Sequence, residues 1–308
     1  MRRNATIYVA GHRGLVGSAI CRALHAAGHT SVVTRTRAGL DLTEYPAVHD
    51  FFRRERPEYV FLAAGRVGGI LANSTYPADF IRENLQIQCN VIDCAYRWGA
   101  TKVLDLGSSC IYPRCAAQPI TEAALMSGPL EPTNEPYAMA KLAGLSMLNA
   151  YRRQYGLCGI SLMPTNLYGP GDTFHPLNSH LVPALMLSAE RAKQGGGPMV
   201  VWGTGTPRRE LLHVDDLARA CLHFMRTYDA PELVNVGTGE DATIAELAQA
   251  IAAAVGYTGP IAYDTSKPDG APVKRLDVAK AHALGWRAEV PLHAGLAQTW
   301  AWYKGQQR

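Results

Sequence analysis

Two short stretches hold the side chains richest in chemistry. One is Gly107-Ser108-Ser109-Cys110-Ile111-Tyr112-Pro113; the other is Glu135-Pro136-Tyr137-Ala138-Met139-Ala140-Lys141. Tyr137 and Lys141 are separated by about one helical turn, so they project from one face of a helix. An ammonium beside a phenol stabilises the phenolate and lowers a pKa that starts near ~10. Tyr137 then reads as a proton shuttle near neutral pH, provided a hydroxyl such as Ser108 shares the substrate oxygen. A Tyr-x-x-x-Lys spacing arises by chance on many surface helices. The chain before it gives it meaning.

The elements that must position these residues begin with Thr6-Ile7-Tyr8-Val9-Ala10, a buried first strand. It runs into Gly11-His12-Arg13-Gly14-Leu15-Val16-Gly17 and a helical pattern to about Ala27. Such glycines allow a tight turn, close approach to a pyrophosphate and helix–strand packing, while the helix N-terminus favours the anion. A second strand is predicted at 31–35. An NAD-selective fold usually places an acid near that strand end, but here Arg35 and Arg37 follow, with Arg13 in the glycine turn. Guanidinium groups there fit a 2′-phosphate, so the expected cofactor is NADP(H). Asp41 and Leu42 fit a loop flanking the adenine.

Strand 59–64 ends in Ala63-Ala64 before Gly65-Arg66-Val67-Gly68-Gly69. A helix over 77–98 includes Asn84, and strand 102–106 delivers Ser108 and Cys110 at its carboxyl end. Pro136 suits the first turn of the Tyr137 helix. Strand 159–163 ends in Pro164-Thr165-Asn166-Leu167-Tyr168-Gly169-Pro170. This alternation predicts an α/β, doubly wound parallel sheet of the Rossmann kind.

After Pro170 the texture changes. A helix at 180–194 and a strand at 199–202 precede a polar turn at 203–210. His213-Val214-Asp215-Asp216 then leads into a helix that either Asp can cap. Residues 233–237 read as a late strand returning to the sheet, and 264–274 as a loop. The predicted organisation is a cofactor domain, 1–170 plus about 214–240, and a smaller substrate domain, about 171–213 plus 241–308.

The chain has 308 residues, 47% hydrophobic and 18% charged, with a formal net charge of +4. That is an ordinary globular composition with no basic block, so nucleic acid is not an expected partner, while an anionic substrate is. Seven cysteines without a Cys-x-x-Cys suit neither a disulfide framework nor a zinc site, and no metal is expected. No apolar signal core or membrane span is evident, so the expected location is the cytoplasm.

Taken together, the glycine turn, Ser108, Tyr137 and Lys141 resemble the extended short-chain dehydrogenase/reductase family, whose members act largely on nucleotide sugars. The strings Glu131-Pro132-Thr133-Asn134-Glu135-Pro136-Tyr137, Met163-Pro164-Thr165-Asn166, Asn178-Ser179-His180 and Ser266-Lys267-Pro268-Asp269-Gly270 extend the resemblance over nearly the whole chain. They are similar to a branch that epimerises and reduces a GDP-4-keto-6-deoxy sugar. The resemblance implies that Tyr137 protonates the C4 oxygen, Ser108 positions it, and Lys141 tunes Tyr137 and holds the nicotinamide ribose. It implies that Cys110 removes the protons at C3 and C5 and His180 delivers them on the opposite face. It further implies cofactor contacts from Leu106, Gly107, Pro164, Asn166, Leu167 and His180. Substrate contacts would come from Ser108, Ser109, Cys110, Asn166, Trp202, Arg209, Asp269 and Lys274. Where an arginine is expected after His180, the chain has Leu187-Ser188, with Arg191 a turn later. The family is usually a homodimer, joined through the helices at 77–98 and 136–155.

The chemistry agrees with this division. Inverting a carbon beside a ketone needs an enolate, donors on its oxygen and acid/base groups on both faces. Cysteine serves as a base where its environment lowers its pKa; otherwise Cys110 is a small buried hydrophobe. His175 and His213 read as structural. Open alternatives are a sister enzyme on a related deoxy or heptose GDP-sugar and a non-catalytic NADP sensor. A 4,6-dehydratase is disfavoured because Ser109-Cys110 stands where that chemistry wants Asp-Glu. A 4-epimerase holding NAD is disfavoured by Arg13, Arg37 and the Cys110/His180 pair.

Overall fold

The apolar run Ile7-Tyr8-Val9-Ala10 is buried along its whole length and forms the first strand. In this computed structural model, residues 1–175, 179–267 and 269–307 are described. Asn178 and Pro268, which belong to two of the strings quoted above, lie outside them. The first half of the chain runs β1 (Ile7–Ala10), α1 (Leu15–Ala26), β2 (Val32–Val33), α2 (Tyr45–Glu55), β3 (Tyr59–Leu62), α3 (Ile70–Thr75), α4 (Pro77–Arg97), β4 (Lys102–Leu106), α5 (Glu135–Tyr155) and β5 (Cys158–Pro164). It continues through β6 (Asn166–Tyr168), α6 (Leu181–Gly195), β7 (Met199–Trp202), β8 (Arg208–Arg209), β9 (Leu211–His213), α7 (Val214–Thr227) and β10 (Val234–Val236). The last elements are β11 (Ala242–Thr243), α8 (Ile244–Val255), β12 (Ile261–Asp264), β13 (Val273–Lys274), α9 (Ala279–Ala283) and α10 (Leu292–Gln306).

Six strands form one parallel sheet in the order β10-β5-β4-β3-β1-β2. Alternate residues face opposite layers, which explains why β1 and β3 are apolar without a break. Ile7, Val9, Phe61 and Leu104 pack with Leu24, Leu217 and Phe224 from α1 and α7. Tyr8, Val60, Leu62 and Val103 pack with Phe52, Ile92 and Leu148 from α2, α4 and α5. The doubly wound arrangement predicted above is therefore present. A separate core joins Val182 and Met186 of α6 to Met199 of β7 and Leu247 and Ile251 of α8.

Several local expectations change. Strand β2 covers Val32–Val33, not 31–35, because it lies at the sheet edge and Arg35 turns to Glu55, 2.5 Å away. The predicted polar turn at 203–210 contains β8, which pairs with β11 and β13. The predicted loop at 264–274 likewise supplies the end of β12 and all of β13. Two-residue strands whose partners lie far along the chain leave no local periodicity to read. Among the described residues no helix is long and apolar enough to cross a membrane.

Neither Asp215 nor Asp216 caps α7. His213 does, its Nδ1 accepting from the Asp215 amide at 3.3 Å. Asp216 instead accepts from the amides of Glu289 and Val290 at 3.1 and 3.0 Å and pairs with Arg219, tying the late chain to α7. Burial pushes the His213 imidazole below its ordinary 6.5, which keeps Nδ1 free to accept. The unfolded chain therefore takes up this proton first as pH falls. Stability is complete above the unfolded value and falls below it, by at most about 1.4 kcal/mol per pH unit. His213→Asn keeps a capping acceptor and loses the titration. Denaturant midpoints measured between about pH 5 and 8 should show a shallower acid decline in that variant than in wild type.

Candidate active site

Strand β4 is buried throughout and sets the floor of the site. A Cβ on Gly107 would meet the end of the Met163 side chain, so glycine lets that side chain pack directly on the backbone where the chain leaves the sheet. Ser108 is extended, and its Oγ accepts from the Cys110 amide at 3.3 Å, starting a short 3₁₀ turn over Ser109–Ile111. That turn holds Ser108 and Cys110 at the carboxyl edge of the sheet. Helix α5 presents Tyr137 and Lys141 to the same edge.

All four line one cavity of about 1300 Å³, which extends to the glycine turn. Gly11, Arg13, Gly14, Leu15, Val16, Arg37, Asp41, Leu42, Ala63, Ala64, Leu106 and Gly107 line it, as do Ser109, Pro164, Asn166, Leu167 and His180. Trp202, Arg209, Asp269 and Lys274 reach the same space from the smaller core. Gly17 does not line it. It is buried against Gly11, where an added Cβ would strike the Gly11 carbonyl, so it serves helix–strand packing.

Helix α1 begins with no side-chain cap on Gly14, so its first amides are left to whatever enters the cavity. Arg37 is highly exposed and stands 3.4 Å from Asp41 and 3.5 Å from Glu83. Arg66, not singled out from sequence, pairs with Glu83 at 2.6 Å and lines the cavity. Arg35, tied to Glu55, lies over the Phe51 ring.

The Tyr137 ring meets Phe80 edge-on at 6.3 Å. Its acidity differs from the sequence expectation. Burial pushes the phenol above its ordinary value, the neighbouring Cys110 adds to this, and the Ser108 hydroxyl offsets only part. Lys141 is not among the causes of that shift, and its Nζ donates to the Leu106 carbonyl at 2.7 Å. Burial also pushes Lys141 down, against the pull of Asp105, a fully buried acid that burial pushes up. A phenol held in its protonated form is an acid, suited to giving a proton to an oxygen.

Cys110 Sγ has two donors: Asn134 Nδ2 at 3.2 Å and Lys274 Nζ at 3.5 Å. His180 occupies the N-cap position of α6 without capping it, and its Nδ1 lies 3.8 Å from the buried Asp172 carboxylate. Sequence reasoning missed Asn134 and Asp172; Asn134 sits in a quoted string with no role of its own.

Among the outer residues, Trp202 is 65% exposed with Lys267 over its ring at 5.5 Å. Asn166 donates to the Glu210 carbonyl at 2.9 Å, and Arg209 to the carbonyls of Arg208 and Ala271 at 2.7 and 2.6 Å. Asp269 accepts from the Thr204 amide and hydroxyl, at 2.9 and 2.8 Å. Ser188 does not line the cavity; its hydroxyl bridges the Val200 carbonyl and amide. Arg191 turns to the Leu187 carbonyl, so it does not stand in for the missing arginine.

Residues 7–237 match the model of the NAD dependent epimerase/dehydratase family. The chain is 56% identical to GDP-L-fucose synthase 1 of Arabidopsis thaliana, covering 98% of this chain and 94% of the relative. It is 53% identical to GDP-L-fucose synthase of Escherichia coli (strain K12), over 98% and 97%. A solved GDP-L-fucose synthetase from Naegleria fowleri bound to NADP is 29% identical with a TM-score of 0.92, covering 100% of this chain and 96% of that one. With a parallel sheet, a glycine turn and a Ser/Tyr/Lys constellation in one cavity, and relatives this similar along nearly the whole chain, the protein belongs to the NAD dependent epimerase/dehydratase family.

Proposed function

We propose that this protein is a bifunctional NADPH-dependent 3,5-epimerase and 4-reductase that converts GDP-4-keto-6-deoxy-D-mannose to GDP-L-fucose. The observation that carries the reading is the meeting of Ser108, Cys110, Tyr137, Lys141 and His180 in one cavity with the glycine turn. The cavity fits a dinucleotide, since α1 offers uncapped amides and Arg13 and Arg37 line the same end. Bound NADPH supplies the hydride.

The chain's own residues do the rest. Cys110 takes the proton beside the ketone: the C–H bond breaks, S–H forms, and the electron pair moves onto the C4 oxygen. Tyr137 and Ser108 hold that enolate oxygen. His180, oriented by Asp172, returns a proton to the opposite face, making the new C–H bond. Cys110 then passes its proton to water and His180 takes one from water, and the cycle runs at C3 and then C5. Tyr137, held protonated by burial, finally gives its proton to the C4 oxygen, and Lys141, fixed by Leu106, holds the cofactor ribose. Arg209 meets the diphosphate, Trp202 walls in the guanine, and Asp269 holds their loop.

The selectivity for NADPH rests on Arg13 and Arg37. Arg13→Ala with Arg37→Ala should weaken NADPH by about tenfold or more and leave NADH nearly unchanged, since each charge-assisted bond lost costs ~1.5–3 kcal/mol. Titrating both cofactors against the variant checks this. An unmoved preference places the 2′-phosphate elsewhere.

The reading extends to organisation. Residues 1–170 plus about 214–240 form the cofactor unit, and about 171–213 plus 241–308 the GDP-sugar unit. Two copies pair through α4 and α5, whose Tyr96, Met139 and Tyr155 are exposed. Seven unpaired cysteines suit a reducing cytoplasm. The test of the whole is incubation with GDP-4-keto-6-deoxy-D-mannose and NADPH in deuterated water, with absorbance and proton NMR. NADPH consumption and an L-fuco product deuterated at C3 and C5 are expected. Absence of both signals overturns the proposal.

A further inference from the structure

Asn134 occupies the N-cap position of α5, the helix that carries Tyr137 and Lys141. An asparagine there ordinarily turns its side-chain oxygen onto an amide two or three residues on. This one makes no such bond. Its Nδ2 reaches instead to the 3₁₀ turn after β4 and donates to Cys110 Sγ at 3.2 Å, while Oδ1 is buried with no partner. From β13, the Lys274 ammonium donates to the same sulfur at 3.5 Å. Two donors from separate elements, one of them a cation, thus converge on one sulfur.

We infer that Asn134, with Lys274, is a positioning residue for Cys110, holding its sulfur toward the cavity and supplying hydrogen bonds to it as a thiolate. The inference rests on the reading of Cys110 as the epimerising base. The amide suits both halves of the cycle. With Nδ2 toward sulfur it serves the thiolate that accepts the substrate proton. Turned by half about its terminal bond, it offers Oδ1 to the S–H that results. Because Oδ1 has no other partner, that turn breaks no other bond of the oxygen. Lys274, expected from sequence only to contact substrate, acquires a second task at the sulfur.

Asn134→Ser isolates this role, because the asparagine side chain caps nothing here and serine, tolerated at an N-cap position, is too short to reach the sulfur. Asn134→Asp keeps the length yet sets a negative charge against the sulfur. In deuterated water with the 4-keto sugar, wash-in at C3 and C5 should fall about 10- to 100-fold in Asn134→Ser and further in Asn134→Asp. NADPH affinity and the thermal midpoint should stay at wild-type values. The acid limb of the exchange–pH profile should move to higher pH in Asn134→Ser, and likewise in Lys274→Met. Cys110→Ser is run beside them. If Cys110→Ser retains exchange, the assignment of the base falls and this inference with it. If Cys110→Ser loses exchange while both Asn134 variants keep it, the base stands and the inference fails. An equal loss of exchange and cofactor binding with an unmoved pH profile makes Asn134 merely structural and also overturns it. Should the Asn134 variants not fold, an unmoved profile in Lys274→Met overturns it.

Discussion

Tyr137→Phe is expected to lower NADPH oxidation by ~10²–10⁴-fold, the range a positioned general acid contributes. The substitution removes one oxygen and leaves the ring that packs edge-on against Phe80, so the shape of the cavity wall survives. Cofactor affinity should therefore change little, and the loss should appear in turnover. Because burial raises the Tyr137 phenol above its ordinary value, the wild-type acid stays protonated through neutral pH. Reduction in the wild type should show no alkaline loss from this group below about pH 10. Deuterium wash-in should fall less than reduction does, since Ser108 remains to hold the enolate oxygen. Substantial turnover in Tyr137→Phe, measured as NADPH absorbance at saturating sugar, would remove Tyr137 from its role.

Cys110→Ser should have an effect of similar size on the other half of the reaction. Serine keeps the volume and the link to the 3₁₀ turn but is a far poorer base than a thiolate. Deuterium incorporation at C3 and C5 is expected to fall by ~10²–10⁴-fold, with NADPH binding intact because the sulfur's partners are Asn134 and Lys274, not the glycine turn. Any NADPH consumption that persists should yield product without deuterium at those carbons. Proton NMR of the product reads this directly. Wash-in at the wild-type rate would refute the assignment of Cys110. The two variants together separate the half-reactions: one loses the hydride step, the other the proton exchange.

The sequence by itself determined the doubly wound sheet, the glycine turn after β1 and the pairing of Tyr137 with Lys141 on one helical face. These are legible because each is written in contiguous residues: largely apolar runs for strands buried on both sides, a turn of glycines between strand and helix, and a helical repeat. The tertiary structure decided what depends on distant partners. Asn134 stands at the N-cap position of α5, and only the approach of the turn after β4 shows why its amide faces Cys110. Lys274 reads as a loop residue, and the pairing of β13 with β8 is what carries it to the same sulfur. Asp172 and His180 are apart in the sequence and come together only in the fold. Gly17 looks like a cofactor contact and is a packing glycine; Ser188 takes the place of an expected phosphate contact and binds a strand edge. The direction of the Tyr137 shift reversed for the same reason. A one-turn spacing suggests an ammonium against a phenol, but desolvation is summed over every element that encloses the ring and sets the shift here, while the Lys141 Nζ turns to the Leu106 carbonyl.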